Sequence, residues 1–303
     1  MRILCAVFVF VCCAVSGFCS GVLSEAPKTV VFLYTDRDGA PEHAQGTGFL
    51  IATPVSTSSA WQWVYLVTAK HVLETDDPAD PMYSQIYARM NLRSGGSEMV
   101  SLPLRYAGPS QTVFLDSEVS VDVAVVAWPS TREASKYDAL VMDEGWLAVP
   151  EDLRSQKIGV GSEVFFTGMF VPFQGQQRNY PIVRFGRVAM MPDEKVPNNQ
   201  LAFDAYFVET FAFGGNSGSP VFFYSSTEDR PVMLAGVMKG YFVDLEPVLS
   251  AKSIADTKSA SMSQNNSGIA IVVPAEHIRR ILHSGTIEQS RLAWKQIPSG
   301  HVQ

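Results

Sequence analysis

The sequence predicts an all-β protein, built as a barrel or a sandwich. From Lys28 onward, short segments rich in Val, Ile, Phe, Tyr and Thr alternate with clusters of Gly, Pro, Asn, Asp and Ser. This pattern is typical of strands joined by turns. The regular alternation of strands and helices that a parallel sheet requires is missing from the sequence. Because helical signals are few, strands are expected to form most of the regular structure.

Ten segments combine β-branched and aromatic residues with flanking turn residues, and each is predicted as a strand. They are Thr29–Tyr34, Gly48–Ala52, Trp63–Thr68, Val121–Ala127, Glu163–Phe170, Ile182–Met190, Phe203–Glu209, Pro220–Tyr224, Val232–Val237 and Ile269–Val273.

Helical signals are confined to three segments: His71–Glu74, Glu133–Met142 and Pro274–His283. The last is the strongest, because a proline opens it and Ile278, Ile281 and Leu282 fall on one face. We therefore expect a C-terminal helix that packs on the last strand.

The strands divide into two groups, which predicts two domains. Residues 28–130 form the first β domain, and residues 159–285 form the second together with its terminal helix. Residues 131–158 are predicted to link the two, and residues 286–303 are predicted to be a tail.

The composition is that of an ordinary globular protein and excludes several function classes. Of the 303 residues, 47% are hydrophobic, and the formal net charge is −7. Nucleic-acid binding requires clustered Lys and Arg, which the sequence lacks, so no nucleic-acid partner is expected. No metal is expected either, because no His, Asp or Glu pair has the spacing of a metal-binding motif. No cofactor is expected, and the oligomeric state stays open.

Residues 1–20 are predicted to be a secretory signal peptide. Arg2 precedes an apolar run from Ile3 to Val15, and the small residues Ala14 and Ser16 resemble a cleavage site. A buried helix or an uncleaved anchor is the alternative, although the run is shorter than the ~20 residues of a membrane span. We expect export to a periplasm or secretion, with no stable membrane insertion after cleavage.

All four cysteines lie within this N-terminal segment, at positions 5, 12, 13 and 19. The mature chain is therefore expected to contain no disulfide, and its stability must come from buried apolar surface. A cysteine nucleophile is excluded for the same reason.

The strongest local signal is the run from Phe213 to Pro220, which reads FGGNSGSP and leads directly into an apolar strand. Glycines on both sides of Ser217 allow a tight turn that exposes its hydroxyl. The same turn would aim the amides of Gly215 and Ser217 at one point, where they could stabilise an oxyanion. A glycine-rich hairpin turn without chemistry is the alternative interpretation.

A serine nucleophile needs a neighbouring base, and the base needs an acid that orients its ring. His71 is the best candidate base because it follows an apolar strand and the small residue Ala69. Asp122 is the best candidate acid because it opens the apolar run Val123–Trp128, where an aspartate requires a partner. Asp116 is the alternative acid.

Three motifs together resemble the chymotrypsin-like, or trypsin-like, serine peptidases, particularly the disulfide-free bacterial branch that includes the HtrA/Deg proteases. The motifs are Thr68-Ala69-Lys70-His71, Asp122-Val123-Ala124-Val125 and Gly215-Asn216-Ser217-Gly218-Ser219-Pro220, in the family's order His, Asp, Ser. Weaker similarity extends over most of residues 28–285, including Gly46-Thr47-Gly48.

The resemblance implies two antiparallel six-stranded β-barrels with a C-terminal helix, and a serine endopeptidase acting on protein or peptide substrates. His71, Asp122 and Ser217 would be catalytic, with Gly215 and Ser217 supplying the oxyanion amides. Only 303 − 217 = 86 residues follow the serine, so no appended PDZ domain is expected.

Two positions of the serine motif depart from the family. Asn216 stands where the digestive members have an aspartate, so activation through an ion pair with a new N-terminus is not implied. Ser219 replaces the commoner glycine, and its small side chain is expected to fit without abolishing the site. The position that resembles the floor of the specificity pocket is Phe211, followed by Ala212. We expect these two residues to contact substrate and to favour a small or medium apolar side chain, unless Phe211 fills the core.

Two other functions compete with a serine peptidase as interpretations of the sequence. The order Ser217, Asp244 or Asp256, and His277 is that of α/β-hydrolases. The strand and helix alternation of that fold is missing, and Ser219 breaks its Gly-x-Ser-x-Gly motif. The non-enzyme alternative is a latent or degenerate domain of the trypsin type that binds peptides at a sheet edge.

Overall fold

A computed structural model describes residues 23–37, 40–55, 62–108, 110–129, 134–198, 201–225, 230–248 and 261–295. The predicted signal peptide with the four cysteines lies outside the described residues, as do Asp256 and positions 296–303 of the predicted tail. Within these ranges no helix combines the length and apolar content needed to cross a bilayer.

The first half of the chain forms one curled sheet. Seven antiparallel strands follow one another in the order β5-β4-β1-β2-β3-β7-β6, and β8 adds to β2 in parallel. The strands are β1 (Val30–Arg37), β2 (Ala40–Pro54), β3 (Gln62–Thr68), β4 (Gln85–Asn91), β5 (Ser97–Pro103), β6 (Val113–Leu115), β7 (Ala124–Ala127) and β8 (Met142–Asp143).

The second half forms a closed barrel of six antiparallel strands in the order β10-β13-β16-β15-β14-β9. Its strands are β9 (Glu163–Gly168), β10 (Ile182–Met190), β13 (Tyr206–Glu209), β14 (Pro220–Tyr224), β15 (Val232–Val248) and β16 (Ser261–Pro274). A separate two-stranded ribbon consists of β11 (Val196–Asn198) and β12 (Leu201–Phe203).

The predicted all-β fold with two sheets is confirmed, and the first half differs from the expected closed six-stranded barrel in detail. Its strand path does not close within the described residues. The amides of Thr112 and Val113 nevertheless donate to the carbonyl of Arg105, 2.9 and 3.0 Å away. Because Arg105 follows β5 and Val113 opens β6, these bonds curl the two ends of the path toward each other.

Aromatic side chains fill the space where the two halves meet. Phe165 of β9 and Phe222 of β14 are stacked with ring centroids 4.9 Å apart, and both are buried. They belong to the same core cluster as residues of the first sheet, including Phe49 and Leu66. Burial of apolar surface therefore joins the two halves through a shared core.

The segment predicted as a linker, residues 131–158, is packed in the part that the structure describes. Met142 pairs with Ile51 of β2, and the carbonyl of Leu234 accepts the amide of Ala148 at 2.9 Å. A short helix, α1, spans Pro150–Ser155. The segment thus contacts both halves.

The predicted C-terminal helix is present as α2, Ala275–Leu282, with its apolar face buried. The expected tail is instead a second helix over its described part, α3, Gly285–Lys295. This helix is fixed by Arg291, whose guanidinium donates to the Tyr65 hydroxyl at 2.8 Å and to Thr53 Oγ1 at 2.9 Å. Its third polar partner is Glu288 of the same helix, 2.7 Å away. The bonds of this buried charge to Tyr65 and Thr53 explain why the segment is held against the first sheet.

Replacement of Arg291 by Met should lower the free energy of unfolding by about 1.5–3 kcal/mol, because buried hydroxyls lose a charged partner. The matched control is Arg154→Met, since both arginines pair with a glutamate three residues earlier. Arg154 and its partner are largely exposed, so this change should leave stability essentially unaltered. Urea denaturation of both variants checks the prediction, and equal losses would contradict it.

Candidate functional site

The loop between β13 and β14 presents Ser217 in a tight turn. Asn216 is buried beneath it, donating from Nδ2 to the carbonyl of Met169 at 2.8 Å and accepting the amide of Phe213 at 2.8 Å. Gly215 and Gly218 have φ values of +88° and +84°. A side chain would be strained at either position, so the glycines are what permits this path.

The amides of Gly215 and Ser217 have no hydrogen-bond acceptor among the described residues. Other amides of the same loop are bonded: Asn216 donates to the carbonyl of Phe213, and Gly218 donates to that of Met238. The loop therefore holds two unsatisfied N–H groups beside the serine, and both can bind an anionic oxygen.

Thr47 joins this loop to the first sheet. Its Oγ1 donates to the carbonyl of Gly215 at 2.8 Å and accepts the amide of Met169 at 3.0 Å, while its amide donates to the carbonyl of Ser217 at 2.9 Å. Its own carbonyl accepts the hydroxyl of Thr68 at 2.8 Å. The fully buried Thr47 thereby fixes the serine loop relative to strand β3.

His71 and Asp122 meet because their strands are neighbours. Strands β3 and β7 are antiparallel, and Thr68 at the end of β3 lies opposite Ala124 at the start of β7. His71 lies in the 3-10 helix Lys70–Leu73 that follows β3. Asp122 accepts from its ring at Nδ1, 2.7 Å away, and from its amide at 3.0 Å. The two-point contact fixes the ring and places the proton on Nδ1, leaving Nε2 to accept.

The carboxylate of Asp122 stabilises the protonated form of the His71 ring. Burial lowers the pKa of His71, but the hydrogen bond and negative charge of Asp122 outweigh burial, and the pKa rises above its usual 6.5. Burial raises the pKa of Asp122, and its bond to His71 more than offsets that effect, so the carboxyl pKa falls below its usual value. Asp122 therefore stays ionised and stabilises positive charge on His71.

Gly46 lies between the serine loop and the 3-10 helix that carries His71. A Cβ built on Gly46 would lie 2.9 Å from both the carbonyl oxygen of Ser217 and a methyl group of Val72. In this structure the hydroxyl of Ser217 donates to the carbonyl of Lys239 at 3.3 Å. No hydrogen bond joins it to His71 within the described ranges.

The alternative acid, Asp116, belongs to a different cluster. It accepts from Arg280 Nε at 2.7 Å and lies 3.5 Å from His277 Nδ1. Arg280 Nη2 lies 2.8 Å from the same ring nitrogen, and His277 Nε2 lies 3.3 Å from Asp204. Burial, followed by the charge of Arg280, lowers the pKa of His277. This cluster ties helix α2 to the loop that precedes Asp122.

The antiparallel arrangement of both sheets excludes the α/β-hydrolase fold. His277 is held by Asp116, Asp204 and Arg280, so its polar contacts are explained without a serine partner.

The two residues predicted to contact substrate occupy different environments. Phe211 is 56% exposed and stacks on Phe213 with ring centroids 6.5 Å apart. It therefore does not fill the core. Ala212 is fully buried, and its carbonyl accepts Nδ2 of Asn266 at 2.5 Å. Phe213 also contacts Tyr241, with centroids 6.4 Å apart, so aromatic rings flank the serine loop.

A buried arginine supports the segment beneath the serine loop. Arg89 of β4 donates to the carbonyls of Gln174 and Gly175 at 2.7 and 3.1 Å and bonds to the side chain of Asn179. Its guanidinium also lies over the ring of Tyr34. These contacts hold the residues that follow Met169 against the first sheet.

Sequence reasoning missed Thr47, Arg89 and Lys239. The Gly46-Thr47-Gly48 motif was the available signal for Thr47, since a residue between two glycines in a strand indicates close backbone approach. Nothing in the sequence indicated Arg89 or Lys239, whose partners are distant in the chain. No group of His, Cys, Asp or Glu suited to a metal ion occurs in the described part of the chain.

The pKa of the His71 ring should lie above 6.5, and the pKa of the His277 ring should lie below it. Asp122 outweighs burial and raises the pKa of His71, whereas burial and then the charge of Arg280 lower the pKa of His277. NMR titration of the ring nitrogens measures both midpoints. Asp122→Asn should lower the His71 midpoint and leave that of His277 unmoved, and a His71 midpoint below 6.5 in the unmodified protein would contradict the pairing.

Replacement of Thr47 by Val should lower the free energy of unfolding by about 1–3 kcal/mol, because the buried amide of Met169 and carbonyl of Gly215 each lose a partner. Thr112→Val is the control. The Thr112 hydroxyl also bonds one carbonyl and one amide, those of Pro103 and Arg105, but at a site that water can reach. Chemical denaturation should show the larger loss for Thr47, and equal losses would contradict its role at the junction.

Comparison with known proteins finds similarity in structure. No protein-family model and no curated protein sequence matches the chain. The chain is similar to the MamO protease domain from Magnetospirillum magneticum, with 15% identity, a TM-score of 0.49, and coverage of 86% of this chain and 100% of that one. It is also similar to Deg5, with 15% identity, a TM-score of 0.48, and coverage of 88% and 92%. A third similar structure is an inactive mutant of Rv3671c from M. tuberculosis H37Rv, with 13% identity, a TM-score of 0.45, and coverage of 86% and 88%.

Proposed function

We propose that the chain is a serine endopeptidase that hydrolyses peptide bonds in proteins through His71, Asp122 and Ser217. The observation that carries the proposal is the two-point bond between His71 and Asp122, held beside a serine loop with two free amides. These are the parts that acyl transfer to serine requires: a base with its orienting acid, a nucleophile and an oxyanion site.

In the proposed reaction, Ser217 Oγ attacks the carbonyl carbon of the substrate and transfers its proton to His71 Nε2. Asp122 accepts from Nδ1 throughout, which keeps the ring in the tautomer that can receive this proton. The raised pKa of His71 suits the step, because the imidazolium that forms is stabilised by the adjacent carboxylate.

Negative charge develops on the substrate oxygen as the tetrahedral intermediate forms. The amides of Gly215 and Ser217 would bind this oxyanion, since neither is committed to another acceptor in the described residues. Because their positions are fixed by Thr47 and Asn216, little reorganisation is needed as the charge appears.

Collapse of the intermediate releases the amine fragment, which takes the proton from His71 Nε2. The acyl group then remains on Ser217 Oγ as an ester. Water completes the cycle by attacking the ester carbonyl while His71 again accepts a proton, and the acid product leaves with the serine hydroxyl restored.

The proposal requires the Ser217 hydroxyl to leave the carbonyl of Lys239, to which it donates at 3.3 Å. A rotation about the Cα–Cβ bond of a partly buried serine at the surface is fast. Hydrogen bonds between a nucleophile and its base often form fully only when substrate is bound. Substrate binding beside Lys239 is therefore expected to shift the hydroxyl toward His71.

The same bond favours a second candidate function, a latent domain that binds peptides without cleaving them. If the hydroxyl stays on Lys239, the serine has no base and is not activated. Such a domain would bind peptides at the same surface but would not hydrolyse them.

We also propose that the protein acts after export, in a periplasm or outside the cell. The pattern of residues 1–20 supports this proposal, together with the confinement of every cysteine to that segment.

A fluorophosphonate probe should label the mature wild-type protein, and a casein substrate should be hydrolysed. Ser217→Ala should abolish both, and His71→Ala should reduce hydrolysis by about 10³-fold or more, because the serine loses its base. Ser219→Ala is the control, since its buried hydroxyl has no hydrogen-bond partner and its removal should leave labelling intact.

Labelling of Ser217→Ala at the wild-type level would contradict the proposed nucleophile. An absence of both labelling and hydrolysis in the wild type, with casein-derived peptides still binding, would favour the latent domain.

A further inference from the structure

Lys239 is a half-buried cation without a carboxylate partner in the described part of the chain. It lies in strand β15, and its Nζ is 4.2 Å from the ring centroid of Phe203. The face of an aromatic ring attracts a cation but satisfies none of its hydrogen-bond donors. The ammonium of Lys239 is therefore held beside the ring, and none of its N–H donors is used by the residues that the structure describes.

The ammonium borders the depression that contains His71 and Asp122. This depression has a volume of about 390 Å³ and is open to solvent. Phe203 and the exposed Leu201 contribute apolar surface to the lining, which also includes Val119 and Ser120. A peptide segment that reaches His71 along this side would pass Lys239.

The other charged residues that line the depression are Lys70, Glu74 and Asp122. Asp122 is committed to His71. Lys70 uses one of its three N–H donors on the carbonyl of Val119, 2.9 Å away. Glu74 lies near His71, whose pKa it raises. Lys239 is thus the cation of this depression whose Nζ has no hydrogen-bond acceptor among the described residues.

We propose that Lys239 is a specificity-determining residue that binds a carboxylate of the peptide substrate close to the scissile bond. An Asp or Glu side chain entering the depression would give the ammonium a charge-assisted hydrogen bond. Phe203 and Leu201 would cover the methylene groups of a Glu side chain. The inference rests on the proposed function, because it assigns substrate preference to the same site.

The test uses internally quenched peptides that differ only in Glu or Gln at each position within four residues of the scissile bond. At one position the wild-type protein should cleave the Glu peptide with a kcat/KM about tenfold higher. This ratio should fall to about 1 in Lys239→Met, and Lys239→Glu should prefer the corresponding Lys peptide. The backbone carbonyl that contacts Ser217 is retained in both variants.

The control is Lys195→Met, which changes the net charge by the same amount. Lys195 bonds to Glu118 and does not line the depression, so its removal should leave the Glu-to-Gln ratio unchanged. A ratio that drops equally in this control would show a general charge effect and overturn the role of Lys239. A wild-type ratio near 1 at every position would overturn it as well.

Fluorophosphonate labelling separates failure of this inference from failure of the proposed function. If Lys239→Met is labelled and cleaves Gln peptides normally while the wild type shows no Glu preference, only the inference fails. If the wild type is neither labelled nor active, the proposed function fails. In that case fluorescence anisotropy is used to measure the affinities of the Glu and Gln peptides for the wild type and for Lys239→Met. Equal affinities of the wild type for the two peptides would overturn the inference.

Discussion

The structure depends on the contact that Thr47 makes between its two halves. A barrel and a curled sheet can share an apolar core with some freedom to slide, because apolar packing is not directional. Hydrogen bonds are directional, and Thr47 makes bonds to Gly215, Ser217, Met169 and Thr68 from one buried position. Thr47 thus fixes the serine loop against the strand that leads to the histidine, and Arg89 adds its bonds to the segment after Met169. Every chemical property of the site presupposes that alignment.

Two histidines in this chain show how the same side chain acquires opposite properties. His71 faces one buried carboxylate, which bonds its ring and its amide. His277 lies between Asp116 and Asp204, but Arg280 approaches the same ring and competes for Asp116. The surroundings of His71 stabilise the protonated ring, whereas those of His277 destabilise it. The first suits proton transfer, whereas the second is suited to holding helix α2 in place.

Much of the fold could be predicted from the sequence because strand signals are local. The bounds of β10 and β14 match the predictions residue for residue, and Asp122 rather than Asp116 is the carboxylate that contacts His71. The strand Gln85–Asn91 was missed because polar residues interrupt its apolar pattern. The helix Gly285–Lys295 was missed because it begins at a glycine. The partners of Thr47 lie 122 and 168 residues away, and the rotamer of Ser217 depends on Lys239, so neither has a local signature.

In the proposed reaction, Ser217 becomes a nucleophile when its hydroxyl leaves Lys239 for His71. A crystal structure of the mature protein with a peptide boronic acid would show whether this happens, because boron captures an activated serine in a tetrahedral adduct. The expected structure has a bond from boron to Ser217 Oγ, with one boronate oxygen accepting the amides of Gly215 and Ser217. A peptide bound in the depression with the Ser217 hydroxyl still on Lys239, and no bond to boron, would contradict it.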